Sequence, residues 1–242
     1  MTDHELNTLL MERFTSVQTP WGRWKLNVYT HWKRISWRVL IASAHFVKRC
    51  FDIFASALFL IALAPLFAVV ALLIKIEDRG PVFFAQKRVG KWGREFRMYK
   101  FRSMYQNAEA QLQKVLAQNQ HAKGITFKIK NDPRVTRVGK WLRKFSVDEL
   151  PQFFNILKGD MSLVGPRPPL PREVALYSTA DRRRLAVTPG LTCFWQIGGR
   201  ADIDFPEQVQ LDVKYIESQS FWLDLKILVK TIPAVLLGRG AC

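Results

Sequence analysis

The longest apolar stretch of the chain covers residues 53–74, where Ser56 is the only clearly polar side chain. A helix of that length would reach roughly 33 Å, enough to cross the apolar core of a bilayer. Pro65 lies near its middle and removes a backbone hydrogen bond, which predicts a kink. Basic residues flank the stretch on both sides, so the charge rule for membrane orientation favours neither end as the outer one. This pattern leaves two interpretations, a re-entrant hairpin and a tilted, kinked spanning helix.

An amphipathic helix is predicted before this stretch. Its apolar positions recur at helical spacing, while basic side chains lie mostly elsewhere on the wheel. Aromatic and basic residues on one helix favour a membrane interface, although a helix packed on protein gives the same periodicity. A second candidate covers residues 221–237, where Pro233 would bend or end the helix. The apolar positions of the first helix are Trp24, Val28, Trp32, Ile35 and Val39.

The remaining chain predicts a small α+β body that is mostly helical. Alternating aromatic and charged side chains, separated by a glycine-containing turn at residues 90–93, predict a β-hairpin. Helices follow, and Gly159 marks the end of the last of them. The predicted strands cover residues 82–86 and 95–101, and the predicted helices cover residues 103–118, 138–144 and 150–157.

The charge of the chain predicts an anionic partner. The formal net charge is +17 and the isoelectric point is about 10.2. Nucleic acid, an acidic membrane surface and phosphorylated ligands all satisfy this charge. The cysteines, Cys50, Cys193 and Cys242, are odd in number and lack CxxC spacing, which indicates neither a zinc site nor a disulfide framework.

Asp148 and Glu149, hereafter the acidic pair, are the strongest candidates for chemistry. A carboxylate can act as a nucleophile, and a neighbouring carboxylate can hold a metal or move a proton. A structural alternative is open, because Ser146 and Glu149 have the spacing of a capping box and Asp148 could itself cap a helix. Arg167 lies between two prolines that restrain its backbone, and arginine recognises phosphate through paired donors.

These residues belong to an ordered set of motifs that resembles the bacterial sugar transferase family, the monotopic polyprenol-phosphate phosphoglycosyl transferases. The likeness extends from about residue 48 to residue 232 and leaves the first 47 residues outside it. The matching segments are KR at 48–49, GPVFF at 80–84, QKRVG at 86–90, KFRSM at 100–104, DPR at 132–134, PGLT at 189–192 and WQ at 195–196, together with Asp52, Pro65, Asp212, Tyr215 and Asp224.

The resemblance implies transfer of a sugar 1-phosphate from a UDP-sugar to polyprenyl phosphate. Asp148 would form a covalent sugar-phosphoryl intermediate with release of UMP, and Asp148 and Glu149 would bind Mg²⁺. It also implies a re-entrant membrane hairpin at the bacterial inner membrane, with the catalytic domain on the cytoplasmic face. The implied partners are UDP-sugar, polyprenyl phosphate and membrane lipid, and not nucleic acid. The implied substrate-binding residues are Lys100, Arg102, Arg143, Arg167, Gln196 and Asp212.

The chain is accordingly divided into an interfacial N-terminal arm (residues 1–47), a re-entrant segment kinked at Pro65 (48–75) and a phosphoglycosyl transferase domain (76–242). The runner-up is a non-catalytic basic membrane module that binds anionic lipid or nucleic acid. A third interpretation takes Asp202 and Asp204 as the metal motif of a glycosyltransferase that releases UDP. The sugar is open, with a hexose preferred to an N-acetylated sugar, and the oligomeric state is open too, a homo-oligomer included.

Overall fold

A computed structural model describes residues 3–108, 110–111, 132–198 and 203–236. The chain divides into two compact units, Met1–Lys48 and Arg49–Cys242. The first unit contains α1 (Asp3–Gln18) and the first part of α2 (Pro20–Ala62). The hydroxyl of Thr19 accepts a hydrogen bond from Gly22 N at 3.1 Å, and the proline that follows it occupies a position that needs no N–H donor. The helix predicted from the spacing of residues 24–39 is confirmed, and its apolar side chains are exposed.

The apolar stretch forms two helices rather than one. α3 (Ala64–Asp78) follows α2 after a break at Leu63, and Pro65 lies in the first turn of α3. The predicted kink is present but precedes Pro65, because a proline is well accommodated where a new helix starts. Among the described residues no single helix combines the length and composition needed to cross a bilayer. The pair α2 and α3 does so together, bent by 60°, as in a broken span or a re-entrant loop.

A β-hairpin follows α3. Its antiparallel strands are β1 (Phe83–Val89) and β2 (Glu95–Phe101), joined by a 3₁₀ turn at Lys91–Gly93. Gly93 has a φ of 84°, a left-handed conformation that glycine adopts without steric cost. The predicted hairpin is therefore confirmed.

The register of the hairpin determines which side chains share a face. Arg88 lies opposite Phe96, and Lys100 lies opposite Phe84. Directly opposed residues project to the same side, and side chains two positions apart along a strand do so as well. Arg88 and Lys100 therefore project from the same face of the hairpin, although they belong to different strands.

The helix predicted over residues 103–118 is wrong where the structure describes it. Met104 forms an isolated bridge with Val135, and residues 106–108 form a turn. Pairing with a distant part of the chain overrides local helix propensity there. Residues 109 and 112–118 of the predicted helix lie outside the described residues.

Two short helices enclose the acidic pair. α4 (Arg137–Lys144) is capped by Thr136, whose Oγ1 accepts a hydrogen bond from Gly139 N at 2.9 Å. α5 (Gln152–Lys158) ends at Gly159, which has a φ of 89°. Both helices are confirmed, and α5 begins two residues later than predicted.

Asn155 ties α5 to the hairpin. Its side chain is fully buried; Oδ1 accepts a hydrogen bond from Tyr99 N at 2.9 Å, and Nδ2 donates one to Arg97 O at 2.7 Å. One amide side chain thus satisfies two backbone groups of β2 that have no strand beside them. This contact fixes the distance between Lys100 on β2 and the residues that precede α5.

A second small sheet is parallel and consists of β3 (Ser162–Val164) and β4 (Gly190–Thr192). Gly165 and Gly190 touch so closely that a Cβ on Gly190 would lie 2.0 Å from Gly165 N. Gly190 N also donates a hydrogen bond to Pro166 O at 2.9 Å. These contacts hold the start of the proline loop, residues 166–170, which carries Arg167.

The second unit is completed by α6 (Pro171–Val174), α7 (Phe194–Gly198), α8 (Phe205–Ser218) and α9 (Phe221–Leu236). α9 continues through Pro233 to Leu236, so the predicted C-terminal helix is confirmed as far as the structure describes it. The main core joins the hairpin to α5, β3, α8 and α9. Helices and two short two-stranded sheets agree with the predicted α+β class. Buried residues of this core are Met98, Ile156, Met161, Leu163, Tyr215 and Ile227.

Candidate active site

The acidic pair lies on a 3₁₀ turn, Val147–Glu149, between α4 and α5. Ser146 enters this turn in the left-handed region with a φ of 54° and makes no capping hydrogen bond through its side chain. α5 begins after Pro151, also without a side-chain cap. The capping interpretation is therefore wrong, because neither arrangement that it requires is formed. The turn instead buries Asp148, which is 6% exposed, against the rest of the domain.

Two cations converge on Glu149. Lys100 Nζ lies 2.7 Å from Glu149 Oε1, and Arg167 Nη1 lies 3.3 Å from the same oxygen. Burial by itself raises the pKa of Glu149, but Lys100 and Arg167 outweigh it and lower that pKa well below its usual range. Glu149 therefore stays ionised and holds both cations in place.

Asp148 has a different environment. Lys100 Nζ lies 3.7 Å from its Oδ2, and among the described residues no side chain or backbone group donates a hydrogen bond to its carboxylate. Burial raises the pKa of Asp148; Lys100 opposes this rise, while the charge of Glu149 adds to it. A buried carboxylate without hydrogen-bond donors is poorly stabilised, and this is the state expected of a nucleophile or a metal ligand.

The acidic pair lines a cleft of about 1870 Å³. The hairpin, α4 and the proline loop contribute much of its charge, whereas α2, α3 and α9 contribute apolar side chains. Such a cleft suits a ligand with phosphate groups and a hydrocarbon part. Its basic lining residues are Lys87, Arg88, Lys100, Arg102, Arg134, Arg143, Arg167, Arg172 and Arg184. Its apolar lining includes Phe59, Leu63, Leu66, Leu228, Val229 and Ile232.

Lys100 and Arg167 are the substrate-binding candidates that the structure brings into direct contact with the acidic pair. The positive charge of Arg143 also acts on Asp148 and favours its ionised form. Arg143 Nε donates a hydrogen bond to Ser103 Oγ at 2.9 Å. Burial lowers the pKa of Arg143. All three cations thus act electrostatically on the carboxylate of Asp148.

Arg102 and Gln196 line the same cleft but face other partners. Arg102 Nη1 lies 3.1 Å from Asp78 Oδ2 at the end of α3. Gln196 Oε1 accepts a hydrogen bond from Cys193 Sγ at 3.3 Å. Arg102 thus also links the apolar helix α3 to the hairpin.

Asp212 does not line the cleft and lies behind its wall. It is 1% exposed and forms an ion pair with Arg184, which does line the cleft. Burial raises the pKa of Asp212 to about 6, although Arg184 opposes the rise. Arg184 also donates a hydrogen bond to Tyr177 Oη at 3.1 Å. Asp212 therefore reaches the cleft through Arg184. The sequence does not single out this residue, because residues 182–184 are all arginine.

Arg88 is a second basic residue of the cleft that the sequence alone does not single out, since it stands there only as part of the segment QKRVG at 86–90. The alternation of side chains along β1 and the register with β2 were the available signals, since they place Arg88 on the same face as Lys100. The Asp202–Asp204 interpretation receives no support from the described part: Asp204 Oδ1 caps α8 by accepting from Glu207 N at 3.0 Å, and Asp202 lies outside the described residues.

The two carboxylates of the acidic pair match the type and number of ligands that Mg²⁺ usually takes from a protein. Among the described residues there is no cluster of three or more His, Cys, Asp or Glu side chains that could hold a metal alone. Mg²⁺ usually takes one or two carboxylates and completes its shell with phosphate oxygens and water. Lys100 and Arg167 both contact Oε1 of Glu149, and neither contact involves Oε2.

The acidic pair lies in a cleft lined by basic residues, and comparison with known proteins identifies the family. Residues 43–238 match the family described as bacterial sugar transferase. The chain belongs to this family, which confirms the resemblance seen in its motifs. The first 42 residues fall outside the match.

Individual relatives support the same assignment. Galactosyl transferase CpsE of Streptococcus agalactiae is 54% identical over 166 residues, 68% of this chain and 37% of the relative. Exopolysaccharide production protein ExoY of Sinorhizobium fredii is 46% identical over 197 residues, 80% of this chain and 87% of the relative. Undecaprenyl-phosphate galactose phosphotransferase of Salmonella typhimurium is 44% identical over 203 residues, 82% of this chain and 42% of the relative. The aligned part thus spans less than half of two of these relatives and most of the third.

Proposed function

We propose that this chain transfers a hexose 1-phosphate from a UDP-hexose to undecaprenyl phosphate, as the first membrane step of exopolysaccharide assembly. The observation that carries the proposal is the acidic pair itself. Asp148 is a buried carboxylate without hydrogen-bond donors among the described residues, beside a Glu149 that two cations keep ionised. The names of the relatives, which specify galactose and undecaprenyl phosphate, supply the substrate classes.

In the first half-reaction an Asp148 carboxylate oxygen attacks the phosphorus next to the sugar. A bond forms between that oxygen and phosphorus, the bond to the bridging oxygen of the diphosphate breaks, and UMP leaves. In the second half-reaction an oxygen of undecaprenyl phosphate attacks the same phosphorus. The Asp148–phosphorus bond breaks, which restores the carboxylate and yields undecaprenyl-diphospho-hexose.

The cleft supports this chemistry through its charges. Lys100 and Arg167 would lie against the phosphoryl oxygens, where negative charge accumulates during transfer. Glu149 would position both cations and, with Asp148, would hold Mg²⁺. When bound, Mg²⁺ would offset charge on the diphosphate. Arg143 would favour the ionised, attacking form of Asp148.

We further propose that α2 and α3 form a re-entrant hairpin with both ends cytoplasmic. Their exposed apolar side chains suit hydrocarbon, and basic residues precede and follow them. The exposed tryptophans of the first unit suit the interfacial depth of the same membrane. Cysteine-accessibility labelling in intact cells, at the N-terminus and near residue 120, tests this topology. An N-terminus labelled from the periplasm would contradict it.

The covalent intermediate can be tested by mass. The protein mixed with a UDP-hexose and Mg²⁺, without lipid, should release UMP and gain the mass of a hexose phosphate on the peptide that contains Asp148. Asp148→Asn should lack this adduct, because a neutral amide is a poor nucleophile. Asp204→Asn is the matched control, since asparagine caps a helix as well as aspartate and this residue does not line the cleft.

The outcomes separate the alternatives. Release of UDP instead of UMP would favour a glycosyltransferase. Full activity in Asp148→Asn, with an unchanged circular dichroism spectrum, would overturn the assignment of the nucleophile.

A further inference from the structure

The first part of α2, residues 20–47, exposes an apolar stripe along one side of the helix. Its members recur every three or four positions, which is the spacing of a single helical face. The structure describes all of residues 20–47, and none of these side chains is buried. Trp21, Trp32 and Phe46 are between 68% and 70% exposed. An apolar face of this length marks a surface that meets another apolar phase or a partner. The stripe consists of Trp21, Trp24, Val28, Trp32, Ile35, Val39, Ala42 and Phe46.

The charged side chains of the same segment are all basic. Five Lys or Arg residues stand within residues 20–47, and neither Asp nor Glu occurs there. At about 100° per residue, Lys25 and Arg38 flank the stripe on opposite sides, about 60° and 80° from its midline, and Arg34 lies at about 120°. Cations in these positions reach the boundary of any apolar phase that the stripe enters. The surface that fits the segment is therefore apolar inside and anionic at its boundary.

A bilayer that contains anionic phospholipid has both properties. Its hydrocarbon accepts the stripe, and its headgroups supply the negative charge. A second copy of the segment would instead bring cations against cations along the contact, and nucleic acid would leave the stripe in water. Three of the stripe positions are tryptophan, a residue that is enriched at membrane interfaces. The rings of Trp21 and Trp24 stack with their centres 4.9 Å apart and so present one continuous aromatic surface.

We propose that residues 20–47 form a docking surface for anionic phospholipid, in addition to the re-entrant hairpin and separate from the cleft. The inference rests on the proposed membrane attachment of α2 and α3, and it adds the charge of the lipid that the first unit selects. Most of this surface precedes the family match, which begins at residue 43. It predicts that the stripe enters a bilayer more readily when the bilayer carries negative charge.

An environment-sensitive fluorophore on single cysteines tests this surface in the full chain. The protein, with Cys50 and Cys242 replaced by serine and Cys193 left buried, is reconstituted in nanodiscs of phosphatidylcholine, with or without phosphatidylglycerol. A label on Val28→Cys, which lies on the stripe, should emit at a shorter wavelength in the discs that contain phosphatidylglycerol. A label on Thr30→Cys, on the opposite side of the helix, is the matched control and should keep its emission in water in both kinds of disc.

The contribution of charge is measured separately. Each Lys or Arg close to an anionic membrane strengthens binding by a factor of about five, so three of them contribute about 100-fold. Replacing Lys25, Arg34 and Arg38 together by glutamine should weaken docking by that factor, and the label on Val28→Cys should return towards its emission in water. Lys25→Arg combined with Arg34→Lys and Arg38→Lys keeps every charge and should keep the emission of the unaltered stripe.

The contrary outcomes are distinct. Equal emission of the Val28→Cys label in both kinds of disc would overturn the selection of anionic lipid, and emission as in water in both would overturn docking itself. Excimer fluorescence from pyrene at the same position, in discs loaded with several copies, would assign the stripe to a second copy of the chain instead. Protein that does not enter the discs at all would refute the proposed membrane hairpin, so that failure is distinguishable from failure of the docking surface.

Discussion

Replacing Lys100 with methionine would remove the cation that lies close to both members of the acidic pair. Lys100 Nζ is 3.7 Å from Asp148 Oδ2 and 2.7 Å from Glu149 Oε1, and its side chain is 15% exposed. Unit charges about 4 Å apart interact by about 4 kcal/mol at an effective dielectric constant near 20, which corresponds to about three pH units as an upper limit. We expect the pKa of Asp148 to rise in Lys100→Met, because the cation that favours its ionised form is removed.

The sign of the effect on activity follows from the form that reacts. Asp148 must be ionised to attack, and burial already raises its pKa. Asp148 becomes protonated as the pH falls below its pKa, so the rate of the first half-reaction declines on the acid side of its pH–rate profile. This acid limb should move to higher pH in Lys100→Met. Rapid-quench measurement of UMP release in the first turnover, as a function of pH, reports this limb. The maximal rate should fall too, because Lys100 is also proposed to contact phosphate, but the position of the limb is independent of that loss.

Glu149→Gln provides the opposite perturbation. The negative charge of Glu149 raises the pKa of Asp148, so its removal should move the acid limb to lower pH. Thermal unfolding of each variant across the same pH range checks that the limb does not report loss of the fold. Acid limbs that coincide in all three proteins, or that move in the same direction in both variants, would refute this electrostatic account of the acidic pair.

Three further predictions concern geometry. Arg167→Ala should reduce kcat/KM by at least about 100-fold with the fold intact, and lysine should recover only part of it, because it lacks the paired donors; steady-state kinetics measures both. Asn155→Ala should lower the free energy of unfolding by about 1 to 3 kcal/mol, since it leaves Tyr99 N and a β2 carbonyl without partners in a part-buried position; thermal unfolding measures the loss. Gly190→Ala should yield little folded protein on size-exclusion chromatography, because its Cβ would lie 2.0 Å from Gly165 N.

Local patterns were sufficient for the hairpin and for the helices around the acidic pair. Alternating side chains and a glycine-containing turn predict β1 and β2, and Gly159 correctly predicts the end of α5. The helix predicted after residue 103 fails for a non-local reason, since Met104 pairs with Val135, which is far away in sequence. The predicted position of the kink, at Pro65 rather than at Leu63, is wrong for a local reason. A proline can kink a helix or start one, and the apolar pattern around it is identical in both cases.

The residues of the candidate site also fall into those that local motifs predict and those that depend on contacts between distant parts of the chain. The acidic pair and Arg167 stand in short motifs, so resemblance to a family suffices to find them. Arg184 could not be chosen from three consecutive arginines, because its selection depends on the buried carboxylate of Asp212 on a different helix. Arg88 required the register between β1 and β2, which only the folded hairpin defines. What the sequence lacked was the pairing of residues from separate elements.

Two charged residues near the start of the family match, Arg49 and Asp52, link the apolar helices to the segments around the acidic pair. Arg49 donates hydrogen bonds to Ile156 O at 2.5 Å and Leu157 O at 2.9 Å, at the end of α5. Asp52 is 3% exposed and accepts hydrogen bonds from Ser162 Oγ at 2.8 Å and from a backbone N–H of β3 at 3.1 Å. Since α5 follows the acidic pair and β3 leads into the proline loop, α2 is joined to both sides of the cleft. A membrane helix attached in this way would fix the height of the acidic pair above the bilayer. The acidic pair must lie at the height of the lipid phosphate if it is to react with it.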